Sequence, residues 1–210
     1  MPSKYPGRLI TFEGIDGSGK TSLTQCLSSS LKQQELPVVI TKEPGGTQLG
    51  QSLREIVHTK KEPICDEAEF LLFAADRAQH FAQCIIPELE KGSIVISDRL
   101  ADSSLAYQGY GRGMDKRMIS KINEWAMHHI APDLTIYMRI DPVIALERVQ
   151  KRKEAITAIE QEKLDFWQRV ADGYDEIFAN RSDVVVLDAA LSQHTLCGVA
   201  LREILRVVAR

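Results

Sequence analysis

The stretch LITFEGIDGSGKT, from Leu9 to Thr21, decides the fold because it joins an apolar segment to a glycine-rich loop. Leu9 to Phe12 is predicted to be a β-strand, and the spacing of Leu23 and Leu27 after the loop indicates an amphipathic helix. The loop matches the pattern G-x-x-x-x-G-K-[ST], whose backbone N–H groups converge on phosphate oxygens. Strand, loop and helix together predict a nucleotide phosphate site.

The predicted phosphate site is a loop of eight residues that opens a helix. An anion bound there meets the helix N-terminus, where backbone N–H groups are unpaired. Lys20 would add a positive charge, and the Thr21 hydroxyl would offer a ligand to Mg²⁺. The nucleotide-binding set is Gly14, Ile15, Asp16, Gly17, Ser18, Gly19, Lys20 and Thr21.

Composition places the chain among ordinary globular proteins. It has 210 residues, 44% apolar and 26% charged, with a formal net charge of −3. We expect one domain spanning residues 1–210. The slightly acidic balance makes a nucleic acid polymer a poor candidate for a partner. No signal-peptide pattern and no apolar stretch of roughly twenty residues appears, so we expect a soluble, cytoplasmic protein without membrane contact.

Four cysteines, Cys26, Cys65, Cys84 and Cys197, are scattered along the chain. The absence of a C-x-x-C pair argues against a zinc site. A secreted protein could form disulfides from them, but without an export signal we expect reduced cysteines in the core.

Short apolar runs alternate with helical patterns along the whole chain. This alternation predicts an α/β fold, a doubly wound five-stranded parallel sheet of the P-loop NTPase type flanked by helices. The predicted strands are Leu9 to Phe12, Val38 to Thr41, Ile94 to Ser97, Leu134 to Ile140 and Val184 to Leu187. The predicted helices are Lys20 to Gln33, Gln48 to His58, one opened by an Asp66–Glu69 capping box and kinked or ended by Pro87, one from Asp141 and Pro142 towards Arg152, and one capped by Ser192.

Two segments depart from this alternation. The glycine-rich Gly109 to Gly113 is expected to be a flexible turn. The segment from Arg148 to Glu162 is highly charged, which is compatible with a solvated helix face. We favour a small mobile lid over residues 148–162, because phosphoryl transfer needs cations beyond one lysine.

Polar residues directly follow the predicted strands, at the edge where doubly wound sheets bind ligands. Asp98 is expected to help hold Mg²⁺. Arg99 is expected to bind a phosphate through two parallel hydrogen bonds from its guanidinium group. Phe73 and Arg77 share a helix face and could contact a base. Their spacing alone favours core packing and a surface arginine.

Five strings, FEGIDGSGKT, TKEPGGT, LLFAADRAQ, SDR and YQGYGRG, resemble bacterial thymidylate kinases, a family of P-loop nucleoside monophosphate kinases, in order and spacing. The resemblance covers nearly the whole chain. It implies transfer of the ATP γ-phosphoryl group to dTMP, giving dTDP for dTTP biosynthesis. It also implies Mg²⁺ as cofactor, ATP and dTMP as partners, and a homodimer.

The resemblance also assigns roles to individual residues. The implied catalytic residues are Lys20, Arg99 and Arg152. Asp16 would accept the sugar 3′-hydroxyl, and Phe73 would stack on thymine. The implied dTMP site consists of Asp16, Glu43, Pro44, Phe73, Arg77, Arg99, Ser104, Tyr107 and Gln108. The implied metal site consists of Thr21, Asp98 and Glu160.

Two departures from the family affect the cations and the pocket wall. The phosphate loop has no arginine, and Thr157 and Ala158 stand where the lid usually carries an Asp-Arg pair. The remaining candidates for the lid cation are Lys151, Arg152 and Lys153. Leu100 replaces an aromatic residue that commonly follows the Asp-Arg pair of the third strand.

Other functions stay open at this point. A kinase for UMP, dUMP or AMP would share most of these motifs. A deoxynucleoside kinase would need a base for a hydroxyl acceptor, and Glu13 or Glu43 could serve. A GTPase-like switch is the least favoured, because no N-K-x-D or separate D-x-x-G motif occurs.

Overall fold

Five parallel strands form one sheet in this computed structural model, which describes residues 4–59, 62–152 and 156–209. The strand order is β2-β3-β1-β4-β5, and every neighbouring pair is parallel. The predicted α/β fold and all five predicted strands are therefore confirmed. The strands are β1 (Arg8–Glu13), β2 (Val38–Lys42), β3 (Ile94–Asp98), β4 (Leu134–Arg139) and β5 (Val184–Asp188).

Helices connect the strands and cover the sheet. None of the helices within the described ranges is long and apolar enough to cross a bilayer. They are α1 (Lys20–Gln33), α2 (Gln48–Thr59), α3 (Asp66–His80), α4 (Ile86–Glu90), α5 (Ala101–Ser104), α6 (Lys116–Ala126), α7 (Pro142–Lys151), α8 (Leu164–Phe178) and α9 (Gln193–Val208).

The strand order creates a crevice at the carboxyl edge of β1 and β3. These strands are neighbours, with Phe12 opposite Asp98. From β1 the chain crosses to one side of the sheet to form β2, and from β3 it crosses to the other side to form β4. A ligand crevice opens where connections diverge in this way. The phosphate loop and the Asp98–Arg99 pair therefore meet there.

The end of α3 differs from the predicted helix stop. The chain continues from α3 through a π-helical turn, Phe81–Ile85, directly into α4, where Pro87 lies in the first turn. A proline lacks the N–H that an α-helix needs, and a widened turn before it accommodates the ring. The proline therefore neither ends the helical path nor requires a loop.

The predicted Asp66–Glu69 capping box is wrong. Cys65 occupies the N-cap of α3 and makes no side-chain cap hydrogen bond. Glu69 is fully buried, and its carboxylate binds Gln108 and Arg112 instead. Local spacing predicted that the Glu69 side chain would cap the helix, but it forms a buried ion pair with Arg112 instead.

The predicted flexible turn at Gly109 to Gly113 is also wrong. Residues Leu105–Gly111 form a second π-helical turn, packed against α8. A Cβ atom on Gly111 would lie 2.6 Å from Cε2 of Phe166, so glycine permits the close approach. Gly111 therefore serves packing, because this turn and α8 come too close there for a side chain.

The cysteines were expected to be reduced and buried; Cys197 is buried, but it is not reduced, and the other three are only partly buried or exposed. Cys26 of α1 and Cys197 of α9 form a disulfide, with Cα atoms 6.4 Å apart. The two helices pack against each other, which brings together residues 171 positions apart. Cys65 is a free, exposed thiol and Cys84 a half-buried one.

Candidate active site

The phosphate loop between β1 and α1 depends on glycines in left-handed conformations. Gly17 has φ +83° and Gly19 has φ +91°, and a Cβ atom on Gly17 would collide with the Ala145 carbonyl oxygen. Lys20 is folded back over the loop, where Nζ donates to the carbonyl oxygens of Gly14 and Ile15, each at 2.9 Å. Burial and the nearby Arg99 lower the pKa of Lys20 to about 8. The Lys20 ammonium group therefore lies within the phosphate loop.

Thr21 and Asp98 form the part of the site that fits a divalent cation. The Thr21 hydroxyl donates to Oδ2 of Asp98 at 2.8 Å, which places two oxygen ligands side by side at the start of α1. Mg²⁺ prefers oxygen ligands, and it commonly binds one or two protein groups together with substrate phosphates. The donor set therefore fits the predicted Mg²⁺.

Arg99 lies at the centre of the cavity and binds the phosphate loop. Its Nη2 is 2.5 Å from Oδ1 of Asp16, and its Nη1 donates to the Gly14 carbonyl oxygen at 2.9 Å. The Tyr107 hydroxyl accepts from both Arg99 and the Asp16 backbone N–H. Burial opposes the charge of Asp16, yet Arg99 and Lys20 hold its pKa at about 2. Asp16 is therefore ionised at neutral pH.

Arg77 is a buried organiser of the pocket, contrary to the surface arginine favoured by spacing alone. Only 2% of the residue is exposed, and its Nε lies 2.9 Å from Oε2 of Glu43. Nη1 donates to Asn123 at 2.6 Å, and Nη2 donates to Ser104 at 3.2 Å. The other Glu43 oxygen lies 2.9 Å from Nδ1 of His80. One buried carboxylate thus fixes both cationic side chains.

Gln108 is held at the side of the cavity by a buried carboxylate. Its Nε2 donates to Oε1 of Glu69 at 3.0 Å, and Arg112 binds both oxygens of the same carboxylate. Within the described residues, Oε1 of Gln108 is buried without a hydrogen-bond partner. A ligand donor is one group that would satisfy it.

One cavity of about 760 Å³ joins these parts. The loop residues Gly14, Ile15 and Ser18 do not line it, and two of them offer carbonyl oxygens to Lys20 instead. The predicted residues that line it are Asp16, Gly17, Gly19, Lys20, Thr21, Glu43, Pro44, Phe73, Arg77, Asp98, Arg99, Ser104, Tyr107, Gln108, Arg152 and Glu160. Leu100 also lines it, at the position of the missing aromatic side chain.

The predicted lid segment forms part of the cavity wall. Arg152 binds both oxygens of Glu160, at 2.5 and 2.6 Å, and the Thr157 backbone N–H donates to the same carboxylate. Glu160 therefore belongs to this ion pair and not to the Thr21–Asp98 pair. Lys151 is exposed beside Glu147, and Lys153 lies outside the described residues.

Arg54 and His58 also line the cavity, and neither was predicted from the sequence. Both come from α2, one helical turn apart, and that spacing after the Pro-Gly-Gly turn was the available signal. Nη1 of Arg54 donates to the Pro44 carbonyl oxygen at 3.0 Å, and within the described residues no carboxylate pairs with this arginine. Burial lowers its pKa. A partly buried cation without a counter-ion is suited to binding an anion.

Comparisons with known proteins agree with this geometry. A family model described as thymidylate kinase matches residues 12–196. The chain is 43% identical over 204 residues to a thymidylate kinase of Nostoc punctiforme, covering 96% of each chain. It is 46% identical over 168 residues to that of Carboxydothermus hydrogenoformans, covering 80% of this chain and 82% of the relative. A Geobacillus thymidylate kinase is 43% identical over 187 residues, covering 88% and 89%.

Proposed function

The chain belongs to the thymidylate kinase family and transfers a phosphoryl group to dTMP to give dTDP; we propose that ATP is the donor and that Mg²⁺ is the cofactor. One observation carries the proposal. Asp16 lies in the phosphate loop, yet it is ion-paired with Arg99, which follows the neighbouring strand β3, so donor and acceptor sites share one cavity.

The phosphate loop would hold the donor. Its glycines turn backbone N–H groups towards the phosphates, and Lys20 would release the Gly14 and Ile15 carbonyl oxygens to bind the β- and γ-phosphates. Thr21 and Asp98 would bind Mg²⁺, which when bound neutralises charge on the phosphates. The negative charge of a bound nucleotide would raise the pKa of Lys20 and so favour its charged ammonium form.

The acceptor would lie on the other side of Asp16. Arg99 and Arg54 would bind the dTMP phosphate, and Asp16 would accept the sugar 3′-hydroxyl. The base would contact the pocket formed by Glu43, Pro44, Phe73, Arg77, Ser104, Tyr107 and Gln108. The dTMP phosphate is mostly dianionic at neutral pH, so it attacks without a general base.

A phosphate acceptor needs no general base, whereas a hydroxyl acceptor does, and this difference distinguishes the two kinds of kinase. Both carboxylates that could have served as a base are fully engaged. Glu13 accepts from Leu100, Ser103 and Tyr174, and Glu43 pairs with Arg77 and His80. Both are thus held by protein groups, and Glu13 also does not line the cavity.

The lid would supply the cation that the phosphate loop lacks. Arg152 lines the cavity, and its partner Glu160 holds the guanidinium at the edge of the site. We propose that Arg152 contacts the transferred phosphoryl group, where charge spreads over three oxygens. Glu160 would move towards the metal only if this ion pair opens.

The proposal includes a homodimer and the cytoplasmic location expected from the sequence. Helices α2, α3 and α6 are packed side by side, and each has large apolar side chains exposed to solvent. An apolar surface of this kind favours an interface. The side chains are Leu49, Ile56, Leu71, Met118 and Trp125.

The acceptor assignment is tested by Arg99→Ala. Removing a preorganised charge from phosphoryl transfer costs roughly 10² to 10³ in rate. We expect kcat/KM for dTMP to fall by that amount, with ATP affinity nearly unchanged. Arg139→Ala is the matched control, because this arginine is exposed and pairs with Asp175 outside the cavity. If Arg99→Ala turns over dTMP at nearly the parental rate, Arg99 does not act as the acceptor clamp, that is, as the residue that binds the dTMP phosphate.

A further inference from the structure

We propose that Glu13 is a positioning residue that holds the Arg99 guanidinium in place for the acceptor phosphate. The carboxylate is fully buried and does not line the cavity, so it cannot contact the substrate itself. It acts through three neighbours, Leu100, Ser103 and Tyr174. This inference rests on the proposed role of Arg99.

Two hydroxyl groups connect Glu13 to Arg99. Ser103 Oγ lies 2.6 Å and Tyr174 Oη 3.0 Å from Oε2 of Glu13. The same two oxygens accept from Nη1 of Arg99, at 3.0 and 3.3 Å. Each hydroxyl therefore stands between the carboxylate and the guanidinium.

The carboxylate decides which way these hydroxyls point. A hydroxyl has one hydrogen to donate, and Glu13 only accepts once it is ionised, which requires a pH above the value of about 7 to which burial raises its pKa. Each hydroxyl can give its hydrogen to Glu13 or to the other hydroxyl 2.8 Å away, and in either case its lone pairs are left to accept from Arg99. A guanidinium has donors only, so it binds hydroxyls in this orientation and no other.

The other Glu13 oxygen holds the backbone that carries Arg99. Oε1 accepts from the Leu100 backbone N–H at 2.8 Å. Arg99 has φ +75°, a left-handed conformation that costs of order 1–3 kcal/mol for a non-glycine residue. Its own N–H is bonded to the Phe12 carbonyl oxygen at 2.9 Å. Hydrogen bonds on both sides of the strained residue come from the end of β1.

Glu13→Gln is a sharp test because the amide has nearly the same shape. With its NH₂ group towards Ser103 and Tyr174, their hydrogens must turn towards Arg99. With the amide reversed, the NH₂ group meets the Leu100 N–H. Either orientation places two donors against each other, so no rotamer of the glutamine restores the arrangement.

The measurement is calorimetric titration of dTMP and of thymidine, which lacks the phosphate, into the whole chain. We expect Glu13→Gln to weaken dTMP binding about ten- to a hundredfold, the range for losing hydrogen bonds to a charged group. Thymidine and ATP binding should not change. In the Arg99→Ala background the added Glu13→Gln change should have no further effect on dTMP, because coupled residues are not additive.

The outcomes separate this inference from the proposed function. Equal weakening of thymidine and dTMP, or an undiminished effect in the Arg99→Ala background, would overturn the positioning role while leaving Arg99 as the clamp. If Arg99→Ala itself binds dTMP like the parent, the clamp and the inference both fail. If Glu13→Gln does not fold, Ser103→Ala and Tyr174→Phe can be measured instead, because both variants keep the carboxylate. Weaker binding of dTMP with unchanged binding of thymidine supports the inference. If neither variant weakens dTMP binding selectively, the inference is overturned.

Discussion

Asp16 illustrates how one residue of a local motif takes part in two substrate sites. Its backbone belongs to the phosphate loop, while its carboxylate is paired with Arg99, 83 positions further on. The loop motif identified Lys20, Thr21 and Asp16 as a group, because these residues are close together in the sequence and therefore also in space. The partner of Asp16 depends on strand order.

Arg77 shows where residue spacing fails. The sequence places it on the same helix face as Phe73, and an arginine on a helix is most often solvated. Its burial follows from Glu43 and Asn123, which are 34 and 46 positions away in the chain and approach only in the folded sheet. Only the resemblance to the family indicated that this arginine belongs to the pocket.

His80 predicts a dependence of stability on pH. Burial lowers its pKa, but hydrogen bonds to Cys84 and Glu43 outweigh burial and raise the pKa from 6.5 to about 9. A raised folded-state pKa stabilises the protein fully below pH 6.5, and this contribution is lost as the pH rises through 9. We expect the free energy of unfolding to fall in that window, with a slope of at most about 1.4 kcal/mol per pH unit from this one proton.

Denaturant titrations at several pH values, with His80→Gln for comparison, measure this contribution. Lys20 titrates in part of the same window with the opposite sign, so the informative quantity is the difference between parent and variant. The difference should shrink from pH 6.5 to 9. A difference that stays constant across this range would show that His80 is not charged in the folded protein.

At the scale of elements, long-range packing decides what local patterns leave open. Alternating apolar runs and helical patterns predicted all five strands, since a buried parallel sheet needs continuous apolar strands. The π-helical turns and the Cys26–Cys197 bridge left no such pattern. The first turn depends on how the chain accommodates Pro87, the second on packing against α8, and the bridge on how α1 packs against α9.

The lid is proposed to contribute to turnover through Arg152. Arg152→Ala should slow single-turnover phosphoryl transfer by roughly 10²-fold, because the variant loses a cation at the transferred group. Lys151→Ala is the matched control, since this neighbouring cation is exposed and pairs with Glu147. If both variants transfer phosphate at the parental rate, another residue supplies the charge.

At the scale of the whole molecule, the exposed apolar side chains of α2, α3 and α6 predict self-association. Trp125 is 72% exposed, the largest fraction among the exposed large apolar side chains of the described residues. Light scattering should give twice the chain mass for the parent and a single chain mass for Trp125→Glu. Leu191→Glu, an equivalent change at an exposed side chain outside these helices, should stay dimeric. A monomeric parent would contradict the proposed dimer.

The parallel sheet and the phosphate loop could be predicted, because the apolar strands and the loop motif are encoded locally. Helices α5, α6 and α8 were not predicted from the sequence. The site could be predicted only in part. Arg54, His58 and the buried support from Glu13 and Glu69 come from distant segments that converge on one cavity, and no spacing rule connects them.

The most direct test of the whole account is a coupled assay of ATP consumption with dTMP, dUMP, UMP, AMP and GMP as acceptors. The Tyr107 hydroxyl accepts from the Asp16 backbone N–H and from Arg99, in the part of the cavity proposed for the dTMP sugar and phosphate. We predict that dTMP gives the highest kcat/KM and that ATP is not consumed without an acceptor. Equal use of AMP or UMP, or steady hydrolysis of ATP alone, would contradict the account.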